Sequence, residues 1–413
     1  MSYLAPPSRL PALLFLAATS FAPAARAQFP FQPLTTIDDA HAHLEWRGTT
    51  SDGTWTFRPL DAPAGDASRD VVVAASEVVV WGHPADPIPA PVVVLIGGDR
   101  TPVDDFTADA ESLSVTTRLS GKRTFPLSRV RGIVFRAPSS SLRRDLRFEA
   151  VSDPADGERD RLTLVGGDEL QGTLATLDAR QVVIETALGP AAKSTLDAES
   201  LVFNPALAEE VERPTEYLVV GLRDGTLLTC GRVTGNDQTA ALEPLVAAGE
   251  TVAWTVPRAS VVFLQRFGGR VRYLSDVAPA GYRHVPYFQL EKKYALDRNL
   301  AGGALRVGGK THLKGIAMPS TSRLTFPLDS ADRRLRAEIA LDDVAGRQGS
   351  VTFRVFVDAD ERFRSDVVRG GDPPRPIDVD LAGGKQLSLV VDFAESGDVQ
   401  DHAVWLDARL QLK

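Results

Sequence analysis

Ser322-Arg-Leu-Thr-Phe-Pro-Leu328, Arg334-Leu-Arg-Ala-Glu-Ile-Ala-Leu341 and Gln386-Leu-Ser-Leu-Val-Val-Asp-Phe393 alternate apolar with polar residues. A period of two sends successive side chains to opposite faces of an extended chain, so each run offers one face to a core and the other to water. Runs 350–357, 377–381 and 404–412 repeat the pattern. Six such runs within 271–413 are what an antiparallel sandwich of two sheets requires. The reading of this stretch fixes the class: the chain is all-β, and what precedes the sandwich leads up to it.

Upstream, the sequence repeats itself. Val92-Val-Val-Leu-Ile-Gly-Gly-Asp99 with Val130-Arg-Gly-Ile-Val-Phe135 makes one copy, and Leu162-Thr-Leu-Val-Gly-Gly-Asp168 with Leu201-Val-Phe203 a second. Tyr217-Leu-Val-Val-Gly-Leu-Arg-Asp-Gly225 with Val261-Val-Phe263 makes a third, and a looser copy runs from Ala42-His-Leu-Glu-Trp46 to Val78-Val-Val-Trp81. Gly-Asp and Asp-Gly pairs are hairpin punctuation, because glycine accepts the positive φ of tight turns. These features predict repeated small β-barrel-like units at 33–84, 91–137, 160–206 and 215–269, followed by the sandwich at 271–413. The order of strand, turn and closing apolar triplet weakly resembles the Sm-like and SH3-like small barrels. No stretch keeps a 3.6-residue period, the nearest being 205–211, so 139–145 and 151–157 read as surface connections and 84–91 as a stiff linker.

At the start, Arg9 precedes the apolar run Leu10-Pro-Ala-Leu-Leu-Phe-Leu-Ala-Ala18, and Ala25-Arg26-Ala27 supplies small residues for cleavage. Segment 1–27 therefore reads as an export signal peptide, and the protein as periplasmic or extracellular, with no transmembrane segment. The chain carries 46 Lys and Arg against 54 Asp and Glu, a net charge of −8. Loss of the leader removes Arg9 and Arg26 and makes it more acidic still. Binding to nucleic acid needs clustered cations, so an RNA role of the Sm-like kind is excluded, as is attraction to an anionic membrane. Cys230 is the only cysteine, which rules out an intrachain disulfide and suits a small apolar core residue.

The last third also carries separated motifs in a fixed order: Tyr273-Leu-Ser-Asp276, Gly302-Gly-Ala-Leu-Arg-Val-Gly-Gly309, Lys314-Gly-Ile, Leu341-Asp-Asp343, Gly349-Ser-Val-Thr-Phe-Arg-Val, and Asp401-His402 with Trp405 and Asp407-Ala-Arg-Leu410. Over 271–413 this resembles the NPCBM family of carbohydrate-binding modules. The resemblance implies a galactose-binding-like antiparallel β-sandwich of the kind attached to glycoside hydrolases and other exported proteins. One position departs from the family, which commonly has His followed by a small residue where this chain has Met318-Pro319-Ser320. A proline side chain offers a sugar hydroxyl neither donor nor acceptor.

Candidate site residues follow from residue chemistry. Trp405 reads as a sugar-stacking ring or a core residue, and Asp401 and His402 as hydroxyl partners or as a structural pair holding the last strand. Asp342 and Asp343, with Asp358, Asp360 and Glu361, offer oxygens of the type Ca2+ takes, without the order of an EF-hand. His41 and His43 lie two apart near Asp38, Asp39 and Glu45, a possible start for a metal site. No G-x-S-x-G, H-E-x-x-H or P-loop pattern occurs. The expectation is an exported, non-catalytic protein that binds glycan, galactose-type among the candidates, without a required cofactor. The alternatives are a structural or adhesion protein that contacts a cell-surface protein, and an unrecognised glycoside hydrolase with two carboxylates close in space.

Overall fold

The computed structural model describes residues 31–413 apart from 39, 51–52, 63–66, 156, 248–252, 288–290 and 396. The leader at 1–27 lies outside the described residues. Antiparallel strands dominate, in four repeated units followed by a two-sheet sandwich.

Each unit follows one plan: an antiparallel meander, a 3₁₀ turn just before the last strand, and a last strand that returns to pair with the first. In the fourth unit, Tyr217–Leu222 pairs with Leu227–Gly235, that with Thr239–Pro244, and that with Trp254–Pro257. The turn Arg258–Ser260 then leads into Val261–Phe267, which pairs back onto Tyr217–Leu222. The long second strand bends at a register shift between Cys230 and Arg232, and the third unit bends likewise between Leu174 and Thr176. A bulge adds local twist, which lets a short sheet curl around its own side chains.

The units do not stand alone. The last strands pair across units, Val78–Gly82 of the first with Val261–Phe267 of the fourth, and Val130–Val134 of the second with Ala198–Val202 of the third. One hydrophobic cluster runs from Leu34 to Leu264 through all four. In the first unit it is a chain of tilted rings, Trp46, Trp55, Phe57 and Trp81, at centroid spacings of 6.0–6.3 Å. Two of the close approaches admit only glycine: a Cβ on Gly82 would sit 2.0 Å from the Val262 carbonyl oxygen, and one on Gly132 2.1 Å from that of Leu201. Cys230 is fully buried, and burial pushes its thiol pKa well up, so it is an inert part of this core.

One sequence expectation fails in the connections. The α-helix Ser141–Ser152 overlaps both 139–145 and 151–157, which read as surface connections, while 205–211, where no helical period is sustained, contain only the 3₁₀ turn Pro205–Leu207. The helix has no single apolar stripe. Phe148 and Val151 pack on Val92, Val94, Val134 and Val202, whereas Leu142 and Leu146 reach Gly303 and Gly302 of the sandwich.

In the sandwich all six alternating runs are strands. One sheet orders Ala295–Leu296, Gly315–Pro319, His402–Leu412, Asp332–Leu341 and Arg375–Asp380, with Val271–Tyr273 also on His402–Leu412. The other orders Gly281–His284, Ser322–Pro327, Gln386–Phe393, Ser350–Val357 and Asp360–Arg364. Leu324, Phe326, Phe353, Leu389, Ile339 and Trp405 interdigitate between them. The first sheet's outer face is covered in part by the hairpin Leu305–Val307 and Lys310–His312.

The sandwich docks on the repeats through Ile37, Val79, Val219, Phe263, Phe267, Val271 and Tyr273. Arg306 adds ion pairs to Asp145 of the helix and Asp86 of the linker, both at 3.0 Å. No helix among the described residues is long and apolar enough to cross a membrane.

Candidate functional site

The strand Gly315–Pro319 runs beside His402–Leu412 with Pro319 directly opposite His402. At this end of the sandwich the chain turns repeatedly, and the side chains that hold the turns can be separated from those left open. Asp401 holds. Its Oδ2 accepts from Ser320 Oγ at 2.5 Å and its Oδ1 from the Ser350 backbone N–H at 2.9 Å, tying both sheets to the last strand. Burial raises its pKa to about 6, against the lowering effect of those two donors.

His284 also holds. Its Nδ1 accepts the Lys292 N–H at 3.1 Å, which leaves Nε2 protonated to donate to the Ser320 carbonyl at 3.1 Å. Both nitrogens are engaged, so this ring fixes the segment Gly281–His284 to the rim.

His402 is different. Its Nδ1 is enclosed with no hydrogen-bond partner among the described residues, and the residue as a whole is half-buried. Burial and, second, the nearby Lys292 charge lower its pKa, so the ring is neutral at neutral pH. A neutral imidazole both donates and accepts, as a sugar hydroxyl does. On the side of the second sheet, Tyr287 and Phe393 meet edge to face at 6.1 Å and are 60% and 45% exposed. Val285 and Val399 are exposed at the same end.

The other expected residues fall elsewhere. Trp405 is 0% exposed and packs edge-on against Phe353 at 4.9 Å. Its period in the strand carries it into the core, so it has no free face for a sugar, and the stacking reading is corrected to the core one. Asp342 accepts backbone N–H groups of Arg306 and Val344, and Asp343 those of Gly308 and Gly309 at 2.9 and 2.7 Å. These carboxylates pin the covering hairpin. Asp358 accepts the N–H groups of Lys385 and Gln386, and Glu361 pairs with Arg354 and Arg364. No group of three metal-ligating residues occurs among the described residues, while Asp39 and the His41 side chain lie outside them. Lys314 of the Lys-Gly-Ile motif is likewise structural, at 2.6 Å from both Asp276 and Asp297.

Sequence reasoning reached His402 and Asp401 but missed Tyr287, Lys292, His284 and Phe393. The signal available was the dense aromatic and basic stretch 281–294, whose strand is too short to show alternation.

Residues 270–411 match the NPCBM/NEW2 domain family. The alpha-1,3-galactosidase B of Akkermansia muciniphila is 34% identical over 116 residues, 27% of this chain and 14% of that protein. A relative from Renibacterium salmoninarum is 26% identical over 165 residues, 40% of this chain and 10% of its own length. The chain thus spans about a seventh or less of the curated relatives it matches. Among solved structures, the CBM51 of Clostridium perfringens GH95, in complex with methyl-galactose, is 22% identical with a TM-score of 0.31, over 34% of this chain and 99% of that one. The CBM51-2 and INT domains of Clostridium perfringens ZmpB are 22% identical with a TM-score of 0.32, over 43% and 36%.

Proposed function

We propose, from the premise that residues 270–411 form an NPCBM/NEW2 domain, that this is an exported, non-catalytic protein that holds a galactose-type glycan at the rim around His402. The observation that carries the reading is the imidazole of His402 directly opposite Pro319, its Nδ1 without a partner among the described residues, with the Tyr287–Phe393 pair exposed on the side of the second sheet. The imidazole absent at position 319 is supplied in space by the facing strand. A pyranose offers hydroxyls to such a nitrogen and C–H faces to such rings. The galactose class is supported by the relative from Akkermansia muciniphila, which by its name acts on α-1,3-linked galactose. Export is supported by the leader pattern at 1–27. In this reading the repeats space and present the domain.

Calorimetric titration of the full chain with α-1,3-galactobiose tests it. Saturable binding is expected, with no release of reducing sugar and about tenfold weaker binding by His402→Ala, the equivalent of about 1.4 kcal/mol. Indifference to that substitution would move the glycan away from the rim, and released sugar would contradict the non-catalytic reading. A mature N-terminus at Gln28, read from protein recovered outside the cytoplasm, is the outcome expected for export.

A further inference from the structure

Between the sandwich and the first and fourth repeat units lies a cleft of about 890 Å³. That is within the ~300–1,000 Å³ of small-molecule sites, and it sits where such sites concentrate, between domains. Its floor is the outer face of the sheet containing His402–Leu412. There two residues, Asp407 and Ala408, oppose the single Ala337, a bulge visible as a register shift between Arg336 and Glu338. Asp407 has φ 48°, a left-handed conformation that non-glycine residues seldom adopt and that gathers at functional sites. The bulge turns its carboxylate toward the repeats, where Oδ1 accepts from Gln265 Nε2 at 3.1 Å and Oδ2 meets His312 Nδ1 at 3.3 Å. The His312 ring is 4.9 Å from that of His83, edge-on.

Three side chains around this cleft, one from the repeats and two from the floor, keep unused hydrogen-bonding capacity. Gln265 is 1% exposed, and its Oε1 has no partner among the described residues. The assignment of that oxygen follows from chemistry, because only the amide NH2 can face the Asp407 carboxylate. Arg409 is buried, yet its guanidinium makes no ion pair among the described residues and donates only to the Asp407 carbonyl, at 3.2 Å. Glu338 takes no hydrogen bond among the described residues; burial and, second, Asp407 raise its pKa. A buried amide oxygen without a donor is costly to the folded state, so a ligand that supplies one is favoured.

The open groups are of both kinds: acceptors at Gln265 and Glu338, a donor at Arg409. An anionic ligand would meet Asp407 and Glu338, and a cationic one Arg409. Hydroxyl groups donate and accept at once and satisfy all three without a net charge. We propose that this cleft is a second binding site, for an uncharged oligosaccharide whose hydroxyls bridge Gln265, Glu338 and Arg409. It extends the glycan-binding reading of the protein but stands on residues remote from the rim.

The test is titration of the full chain with β-1,4-galactotetraose, with tetragalacturonate and chitosan tetramer as charged counterparts. The background is His402→Ala, which weakens the rim. Saturable binding of the neutral tetramer in that background, at least tenfold tighter than either charged one, is expected. Adding the near-isosteric Glu338→Gln, or Gln265→Met from the repeat side, is expected to weaken it about tenfold at an unchanged melting temperature for the former. The proposal is overturned if the His402→Ala protein shows no saturable binding of the neutral tetramer, if Glu338→Gln binds as its parent does, or if a charged tetramer binds more tightly. Failure of the rim reading shows separately, as an unchanged affinity of the His402→Ala protein for α-1,3-galactobiose.

Discussion

Trp405 and His402 are three positions apart on one strand, and burial separates their duties. Trp405 fills the space between the sheets, so Trp405→Ala is expected to destabilise the protein by about 3–5 kcal/mol in urea titrations. His402→Ala, at the half-buried rim, is expected to change stability by less than about 1 kcal/mol while weakening glycan binding. Asp401 gives a pH signature. Its folded pKa of about 6 exceeds the ordinary 3.8, so the folded state binds the proton more tightly and stability falls as pH rises from about 4 to 6. Asp401→Asn cannot titrate. Its stability relative to the native protein is expected to rise by on the order of 1–3 kcal/mol across that window, and a flat difference would show that the carboxyl is not desolvated. Composition and position could name Asp401 and His402 as polar candidates. They could not say which is committed to Ser320 and Ser350, because those partners are distant in sequence.

At the scale of elements, the alternating runs were readable because each strand has one wet and one dry face. The helix Ser141–Ser152 was not, since its apolar side chains divide between two partners and leave no stripe at a 3.6-residue period. The repeats announced their turns, but not that their last strands join the first unit to the fourth and the second to the third. That pairing is decided by close backbone contact. Gly82→Ala and Gly132→Ala would each force a carbonyl oxygen away from about 2 Å, and both are expected to lower the melting temperature by several degrees. Gly53→Ala, with open space around its Cβ but a positive φ, is the milder comparison. The motifs that carry the family resemblance are largely scaffolding at this scale. Lys314 joins Asp276 and Asp297, and Asp343 caps the Gly308-Gly309 turn.

At the scale of the molecule, the sandwich is seated on the repeats through an apolar patch and the Arg306 pairs, of which the one to Asp145 is buried and the one to Asp86 half-exposed. Removing Arg306 leaves chiefly Asp145 uncompensated, at a cost on the order of 3 kcal/mol. Arg306→Ala is therefore expected to split a single calorimetric transition into two, with the sandwich and the repeats unfolding separately. The cleft beside this contact could not be read from the sequence. His83, Gln265, His312, Glu338, Asp407 and Arg409 come from the first repeat, the fourth repeat and three parts of the sandwich, and only the docking brings them together. The central claim is that the sandwich binds glycan at its rim through His402. Titration of the full chain and of His402→Ala with α-1,3-galactobiose at neutral pH tests it most directly. Saturable binding that weakens about tenfold in a variant of unchanged melting temperature is the predicted result, and no binding by the native chain, or equal binding by both, would contradict it.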